Sequence, residues 1–170
     1  MTSEIYRIDS THSAVRLGYD DRGWTYQQHG FDRMIGKIVL DRVNRTVSVS
    51  VTIDIKSVNT GQARPNNGMQ GPAFFDMERF PTIAYESTNV QFENDKPIRM
   101  EGALTIKGIT RPVSLDIVSF VNGVHPVRGK RGVDANAFAK VKRSDFGIAR
   151  QTPRVADEVS LSFALQAFKD

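Results

Sequence analysis

The chain contains three histidines, the side chains best suited to bind a metal ion or to transfer a proton near neutral pH. They are His12, His29 and His125, and neither a Glu-x-x-His nor a His-x-x-x-His pair occurs, so no common zinc motif is present. There is no cysteine, which excludes disulfides, thiol nucleophiles and cysteine-bound metal clusters. These patterns predict no metal site.

Other motifs that look catalytic lack the partners that catalysis requires. The triplet Asp145-Phe146-Gly147 matches the magnesium-binding triplet of protein kinases, but no glycine-rich phosphate loop or catalytic loop accompanies it. No Gly-x-Ser-x-Gly elbow marks a serine nucleophile. We therefore interpret Phe146 as a residue that folds over a core, and we predict that the protein is not an enzyme.

A polar cluster is expected where Gln27, His29 and Phe31 alternate along one candidate strand, because alternation turns all three side chains to one face. Buried polar groups need hydrogen-bond partners or water. Two interpretations stay open: water near the end of a core, or a site in which Gln27 and His29 bind a carbonyl or hydroxyl group of a ligand. Inward-facing Tyr19 and Tyr85 could likewise bond a ligand oxygen or a backbone carbonyl.

The elements that must position these residues are strands. Apolar and polar residues alternate with the period of half-buried strands near positions 15–19, 47–55, 83–87, 104–106, 113–117 and 159–167. The segment 36–51 predicts a hairpin with a turn around 41–45. Helical signal is confined to a short stretch of 60–80 that prolines and glycines interrupt. Long strands with few helices favour a closed antiparallel barrel over a sandwich.

Length and charge restrict the function classes. The 170 residues predict a single domain spanning 1–170, and no stretch approaches the ~20 consecutive apolar residues of a membrane-spanning helix. The net charge is +4, but basic and acidic residues are interleaved, and the densest basic run, 128–131, is glycine-containing. We therefore expect no nucleic-acid partner and no transmembrane segment.

Six motifs, in order, resemble those of the YceI-like proteins, a lipocalin-like family of bacterial isoprenoid-binding barrels. The resemblance runs from about Tyr6 to Phe168. The motifs are YRIDSTHSAV from Tyr6, FDRMIGKIVLD from Phe31, SVNTG from Ser57, FFDMERFPTIAYES from Phe74, GALTIKGITRPVSL from Gly102 and KRSDFGI from Lys142.

The resemblance implies an extended barrel of about eight antiparallel strands with one short helix, built around an apolar tunnel. It implies a bound long-chain lipid (a polyprenoid, an isoprenoid quinone or a fatty-acid derivative), no other cofactor and no shared catalytic residues. Homodimers, transient membrane contact and a periplasmic location also follow from it. No signal peptide is visible at the start of the chain, so a removed leader and a cytoplasmic location are both compatible with the sequence.

The lipid is expected to lie against the inward apolar faces, and to exchange through a mouth formed by segments 62–76 and 122–152. The rival function is an enzyme acting on bound lipid (an isomerase, cyclase or hydrolase) through His29 with Asp20 or Asp21. Beyond Val15, the predicted ligand-binding residues are Leu17, Tyr19, Phe31, Met34, Ile38, Val51, Ile53, Ile55, Met69, Phe74, Phe75, Phe80, Ile83, Tyr85, Leu104, Ile106, Leu115, Ile117, Phe138 and Phe146, with Gln27 and His29 as candidates for the head group.

Overall fold

The strands occupy the stretches in which apolar and polar residues alternate. The computed structural model describes residues 3–21, 25–59, 75, 77–148 and 157–170, without the side chains of residues 21 and 25–27. Its strands are β1 (Ser3–Ile8), β2 (Ala14–Asp21), β3 (Thr25–Phe31), β4 (Met34–Asp41), β5 (Thr46–Asp54), β6 (Val58–Asn59), β7 (Thr82–Glu93), β8 (Lys96–Ile106), β9 (Ile109–Val124), β10 (Arg131–Lys142) and β11 (Glu158–Lys169).

These strands form one antiparallel sheet that closes on itself. The order of hydrogen-bonded neighbours is β1-β4-β5-β7-β8-β9-β10-β11, and β11 then pairs with β1 through Tyr6↔Lys169 and Ile8↔Ala167. The first half of β11 pairs with β2, which pairs with β3, which pairs with β6. Short breaks separate β1 from β2, β3 from β4 and β5 from β6. Each of these pairs is therefore one bent wall, and the described strands form an eight-walled barrel, which confirms the predicted all-β fold.

Local chemistry fixes the turns at the two ends. At the β4–β5 turn the Asp41 carboxylate accepts hydrogen bonds from the backbone amides of Val43 and Asn44, both at 3.1 Å, as an Asx turn requires. The β8–β9 turn places Lys107 and Gly108 at positive φ, 53° and 75°, which suits a two-residue hairpin. The hairpin predicted for segment 36–51 is therefore confirmed as β4–β5.

The two ends of the barrel carry different connections. At the upper end, as we name it, β2, β8 and β10 end and β3, β9 and β11 begin, whereas the lower end bears the β4–β5, β7–β8 and β9–β10 turns. Segment 122–152 was predicted to form loops at one mouth. This prediction is wrong, because β10 spans Arg131–Lys142 and separates the lower turn at 125–130 from the upper residues 143–148.

The barrel interior is the hydrophobic core. Tyr6, Ile55 and Ala167 are fully buried, and they join a continuous cluster of apolar side chains from every wall of the barrel. The short helix predicted within 60–80 falls largely on residues outside the described part of the chain. Among the residues described, no helix has the length and apolar character needed to cross a membrane.

Candidate functional site: the barrel interior

The centre of the barrel contains an apolar cavity of about 40 Å³. Five predicted ligand-binding residues line it: Ile38, Val51, Tyr85, Leu115 and Ile117. The sequence analysis did not assign the other lining residues, which are Val47, Val49, Met100, Phe120, Ala135, Ala137, Phe163 and Leu165. Alternation along β5 and β11 was the available signal for Val47, Val49, Phe163 and Leu165.

Most other predicted lining residues are buried in the same core, away from this cavity. Phe31 and Phe75 meet edge to face with ring centroids 5.8 Å apart. The remaining buried members are Val15, Leu17, Met34, Ile53, Ile55, Ile83, Leu104, Ile106 and Phe146. Met69 and Phe74 lie outside the described residues.

Phe138 does not line the interior. Its side chain is 38% exposed on the outer face of β10, whereas Val133 and Ala139 on the same strand are buried. The inner face of β10 carries small residues, including Ala135 and Ala137 of the cavity wall. The prediction that Phe138 faces the ligand is therefore wrong, because alternation puts the alanines inside and the large ring outside.

Phe80 also lies apart from the cavity. It is half-buried beside the β8–β9 turn, where its ring is so close to Gly108 that a Cβ there would lie 2.7 Å from a ring carbon. The Arg79 guanidinium lies over the same ring, 5.2 Å from its centroid. Phe80 therefore packs on the upper end of the barrel.

Tyr85 satisfies its hydroxyl inside the barrel without a ligand. The hydroxyl donates a hydrogen bond to the backbone carbonyl of Val113 at 3.1 Å, and the side chain is buried. Burial raises the pKa of Tyr85 to about 12, with a smaller contribution from the charge of Glu101. Of the two roles open for Tyr85 from sequence, the backbone bond is the one present here.

The buried polar residue His29 lies nearer the upper end, opposite Leu17 on β2. Its Nε2 is 2.7 Å from the Tyr19 hydroxyl, while its Nδ1 is buried and has no hydrogen-bond partner among the described residues. Burial lowers the pKa of His29, since desolvation disfavours the imidazolium, so the ring is neutral at pH 7. A neutral imidazole with one unused nitrogen can bond one further uncharged oxygen.

Of the two aspartates considered for catalysis, the structure describes only the side chain of Asp20, and it does not bring that side chain to His29. Asp20 follows Tyr19 on β2, and its side chain is exposed. The side chains of Asp21 and Gln27 lie outside the described part of the chain. In the portion described, no three His, Asp or Glu side chains are grouped so as to hold a metal ion.

A polar network that sequence reasoning missed lies at the lower end of the barrel. Asn122 donates to the buried Tyr6 hydroxyl at 3.0 Å, and its side-chain oxygen accepts hydrogen bonds from Arg42 and Arg131. Arg42 and Lys169 pair with Glu4 at 3.2 and 2.9 Å. The hydrogen bond to Lys169 is the main cause that lowers the pKa of Glu4. The partners come from β1, β9, β10, β11 and the β4–β5 turn, so no local pattern could have indicated them.

Comparisons with known proteins agree with this geometry. The model of the YceI-like domain matches residues 6–167. The protein YceI of Salmonella arizonae is 30% identical over 95% of this chain and 85% of its own length. The crystal structure of BcnA from Burkholderia cenocepacia superposes with a TM-score of 0.77 at 24% identity, covering 94% of this chain and 99% of that one. A polyisoprenoid-binding domain from Saccharophagus degradans has a TM-score of 0.74 at 16% identity, covering 97% and 98% of the two chains.

Proposed function

Because this chain belongs to the YceI-like family, we propose that it binds a long-chain isoprenoid lipid or fatty-acid derivative inside its barrel. In this proposal the protein stores or carries the lipid and does not transform it. The observation that carries the proposal is a closed barrel whose centre holds a cavity with apolar walls. The fold shared with a domain described as polyisoprenoid-binding supports the same class of ligand.

The driving force is burial of the chain. Each methylene removed from water contributes about 0.8 kcal/mol, so a long chain needs no polar partner to bind well in a dry interior. Met34 and Met100 are buried in this interior, and unbranched thioether side chains adapt readily to irregular apolar shapes.

We expect binding to widen the interior, because the cavity of about 40 Å³ within the described part of the chain is far smaller than a long lipid chain. The half-buried lining residues Ile117 and Phe120 and the flexible Met100 are the side chains that we expect to move. A preformed tunnel is therefore not part of the proposal.

The head group is proposed to meet Gln27 and His29 when it is uncharged. The unused Nδ1 of His29 supports this placement, since it could bond a carbonyl or hydroxyl oxygen. The periplasmic location, the homodimer and the transient contact with a membrane remain predictions.

Native mass spectrometry of the purified protein, followed by mass spectrometry of its organic extract, tests the proposal. We expect a discrete adduct that extracts as a polyprenyl or acyl species. If the protein is repeatedly bare and long-chain probes added to it also fail to bind, the proposal is wrong.

The burial of His29 and the lowering of its pKa also favour a second candidate, an enzyme that acts on the bound lipid. Prolonged incubation with an extracted lipid distinguishes the two functions. A carrier returns the lipid unchanged, whereas an enzyme yields a product whose formation stops in the His29→Ala variant.

A further inference from the structure

The lower end of the barrel contains a second space, an open recess of about 500 Å³ between the β4–β5 and β7–β8 turns. Its inner wall includes Phe92 and Phe120, and its rim includes Arg42, Arg45 and Lys96. The ring of Phe120 also lines the apolar cavity, so this side chain is a wall common to both spaces.

The barrel wall beside the recess is not joined by a backbone ladder. Residues 50–54 of β5 pair with residues 82–86 of β7. Residues 46–49 of β5 and 88–93 of β7, all of them described, form no ladder pair with each other. We call the gap between these two segments the seam. The Val49 amide donates to the Ser87 hydroxyl at 2.8 Å, and Arg45 pairs with Asp95 at 2.7 Å between the two turns.

The ion pair between the two turns beside the seam is weak. The side chains of Arg45 and Asp95 are 66% and 75% exposed, and an ion pair so exposed to water adds little stability. Val47 and Val49, on the β5 side of the seam, line the apolar cavity. The seam can therefore widen towards the cavity without loss of a strand ladder.

The lining of the recess carries three cationic side chains, Arg42, Arg45 and Lys96, against two carboxylates, Asp41 and Asp95. The Asp41 carboxylate accepts hydrogen bonds from its own turn, and Asp95 is paired with Arg45. Within the described part of the chain, the ammonium of Lys96 has neither an ion pair nor a hydrogen bond. A carboxylate or phosphate placed here would gain hydrogen bonds from positively charged donors, which neutral His29 cannot offer at the upper end.

We propose that the recess binds the anionic head group of a long-chain amphiphile, whose chain passes Phe120 through the seam into the apolar cavity. This inference rests on the proposed lipid-binding function and adds a ligand class and a second opening to it. The two ends of the barrel then select by charge. Uncharged oxygens bind near His29, and carboxylates or phosphates bind at Lys96 and Arg45.

The test pairs ligands that share one chain, one with an anionic head group and one with an uncharged hydroxyl. The pairs are oleic acid with oleyl alcohol, and farnesyl phosphate with farnesol. Calorimetric titration compares the wild type with Lys96→Glu and with Lys37→Glu, a matched reversal at an exposed residue on the outer face of β4. Arg45→Gln is a second variant, which removes one cation from the recess and introduces no new carboxylate. His29→Phe removes the polar group at the upper end.

We expect Lys96→Glu to weaken the binding of at least one of the two anions tenfold or more, and a tenfold change in affinity corresponds to about 1.4 kcal/mol. Arg45→Gln should weaken the same anion to a smaller extent, because Arg45 already pairs with Asp95. The affinity for both alcohols should stay within about twofold of the wild-type value in these two variants. In Lys37→Glu the affinity for all four ligands should stay within the same range. The anion that binds more tightly identifies its source as an acyl or a prenyl amphiphile.

Three results would overturn the inference. In the first, Lys96→Glu and Lys37→Glu have the same affinity for both anions. In the second, Lys96→Glu weakens the binding of the anions and of the alcohols alike, and in the third, His29→Phe is the variant that weakens the binding of the anions. If the wild type binds the alcohols and neither anion, only this inference fails. If it binds none of the four ligands, the proposed function fails with it.

Discussion

At the scale of single residues, Tyr85 links the polar and apolar chemistry of the interior. Its hydroxyl is bonded to the Val113 carbonyl, and the side chain forms part of the cavity wall. Replacing Tyr85 by Phe removes one buried hydrogen bond and keeps the ring. We expect a loss of about 1 kcal/mol in the free energy of unfolding at neutral pH.

The pH dependence of this loss has a definite sign. The pKa of Tyr85 rises from its ordinary value of 10.0 to about 12 on folding. The stability that this shift adds is therefore fully present below pH 10 and is lost as pH rises through about 12. Tyr85→Phe has no such loss. The difference between the two proteins in the free energy of unfolding, measured in urea, should therefore shrink above pH 10. A difference that stays constant would show that Tyr85 ionises normally in the folded state.

The contribution of His29 to stability depends on pH with the opposite sign. Burial lowers its pKa, so the unfolded chain takes up a proton at a higher pH than the folded protein does. The stability tied to the neutral ring is therefore present above the unfolded pKa of about 6.5 and is lost as pH falls. The folded barrel keeps this imidazole neutral, as a site for an uncharged oxygen requires.

At the scale of elements, the β8–β9 turn ties local backbone geometry to packing at the upper end. Gly108 has φ +75°, and a Cβ there would lie 2.7 Å from the Phe80 ring. Gly108→Ala should therefore lower the free energy of unfolding by about 1–2 kcal/mol. Gly123→Ala in β9 is the matched control, because a Cβ there would meet nothing within 4 Å.

Thermal unfolding measures this difference. For a chain of this size, a loss of about 1 kcal/mol lowers Tm by roughly 2–4 °C. Adding Phe80→Ala to Gly108→Ala separates the clash from the backbone strain. Equal Tm values for the two single glycine variants would contradict the proposed geometry of the turn.

Alternation predicted most of the elements, and its failures have physical causes. The strands around Val51, Ile83 and Leu115 follow the period of two because one face of each packs in the core. Phe138 was misplaced because the inner face of β10 is built of alanines, which give a weak apolar signal. A register shift between Asn136 and Ala137 further disturbs the pairing of β10 with β9.

At the scale of the whole molecule, the sequence predicted a closed barrel and an inward-facing His29, but not the chemistry of the lower end. The network around Glu4 and Asn122 joins residues from opposite ends of the chain, as the ion pair between Glu4 and Lys169 illustrates. The seam depends on where two strands stop pairing, which the composition of β5 and β7 does not encode. Motif resemblance predicted the family, and tertiary structure was needed to locate the recess.

The central claim is that lipid occupies the barrel interior, and two adjacent residues of β10 test it most directly. Ala137 lines the cavity, whereas Phe138 lies on the outer face. Titration with the fluorescent polyene cis-parinaric acid should show binding weakened at least tenfold in Ala137→Leu, which fills the cavity, and changed less than about twofold in Phe138→Leu. Circular dichroism and Tm measurements establish that both variants are folded. Equal affinities in two folded variants would contradict binding inside the barrel.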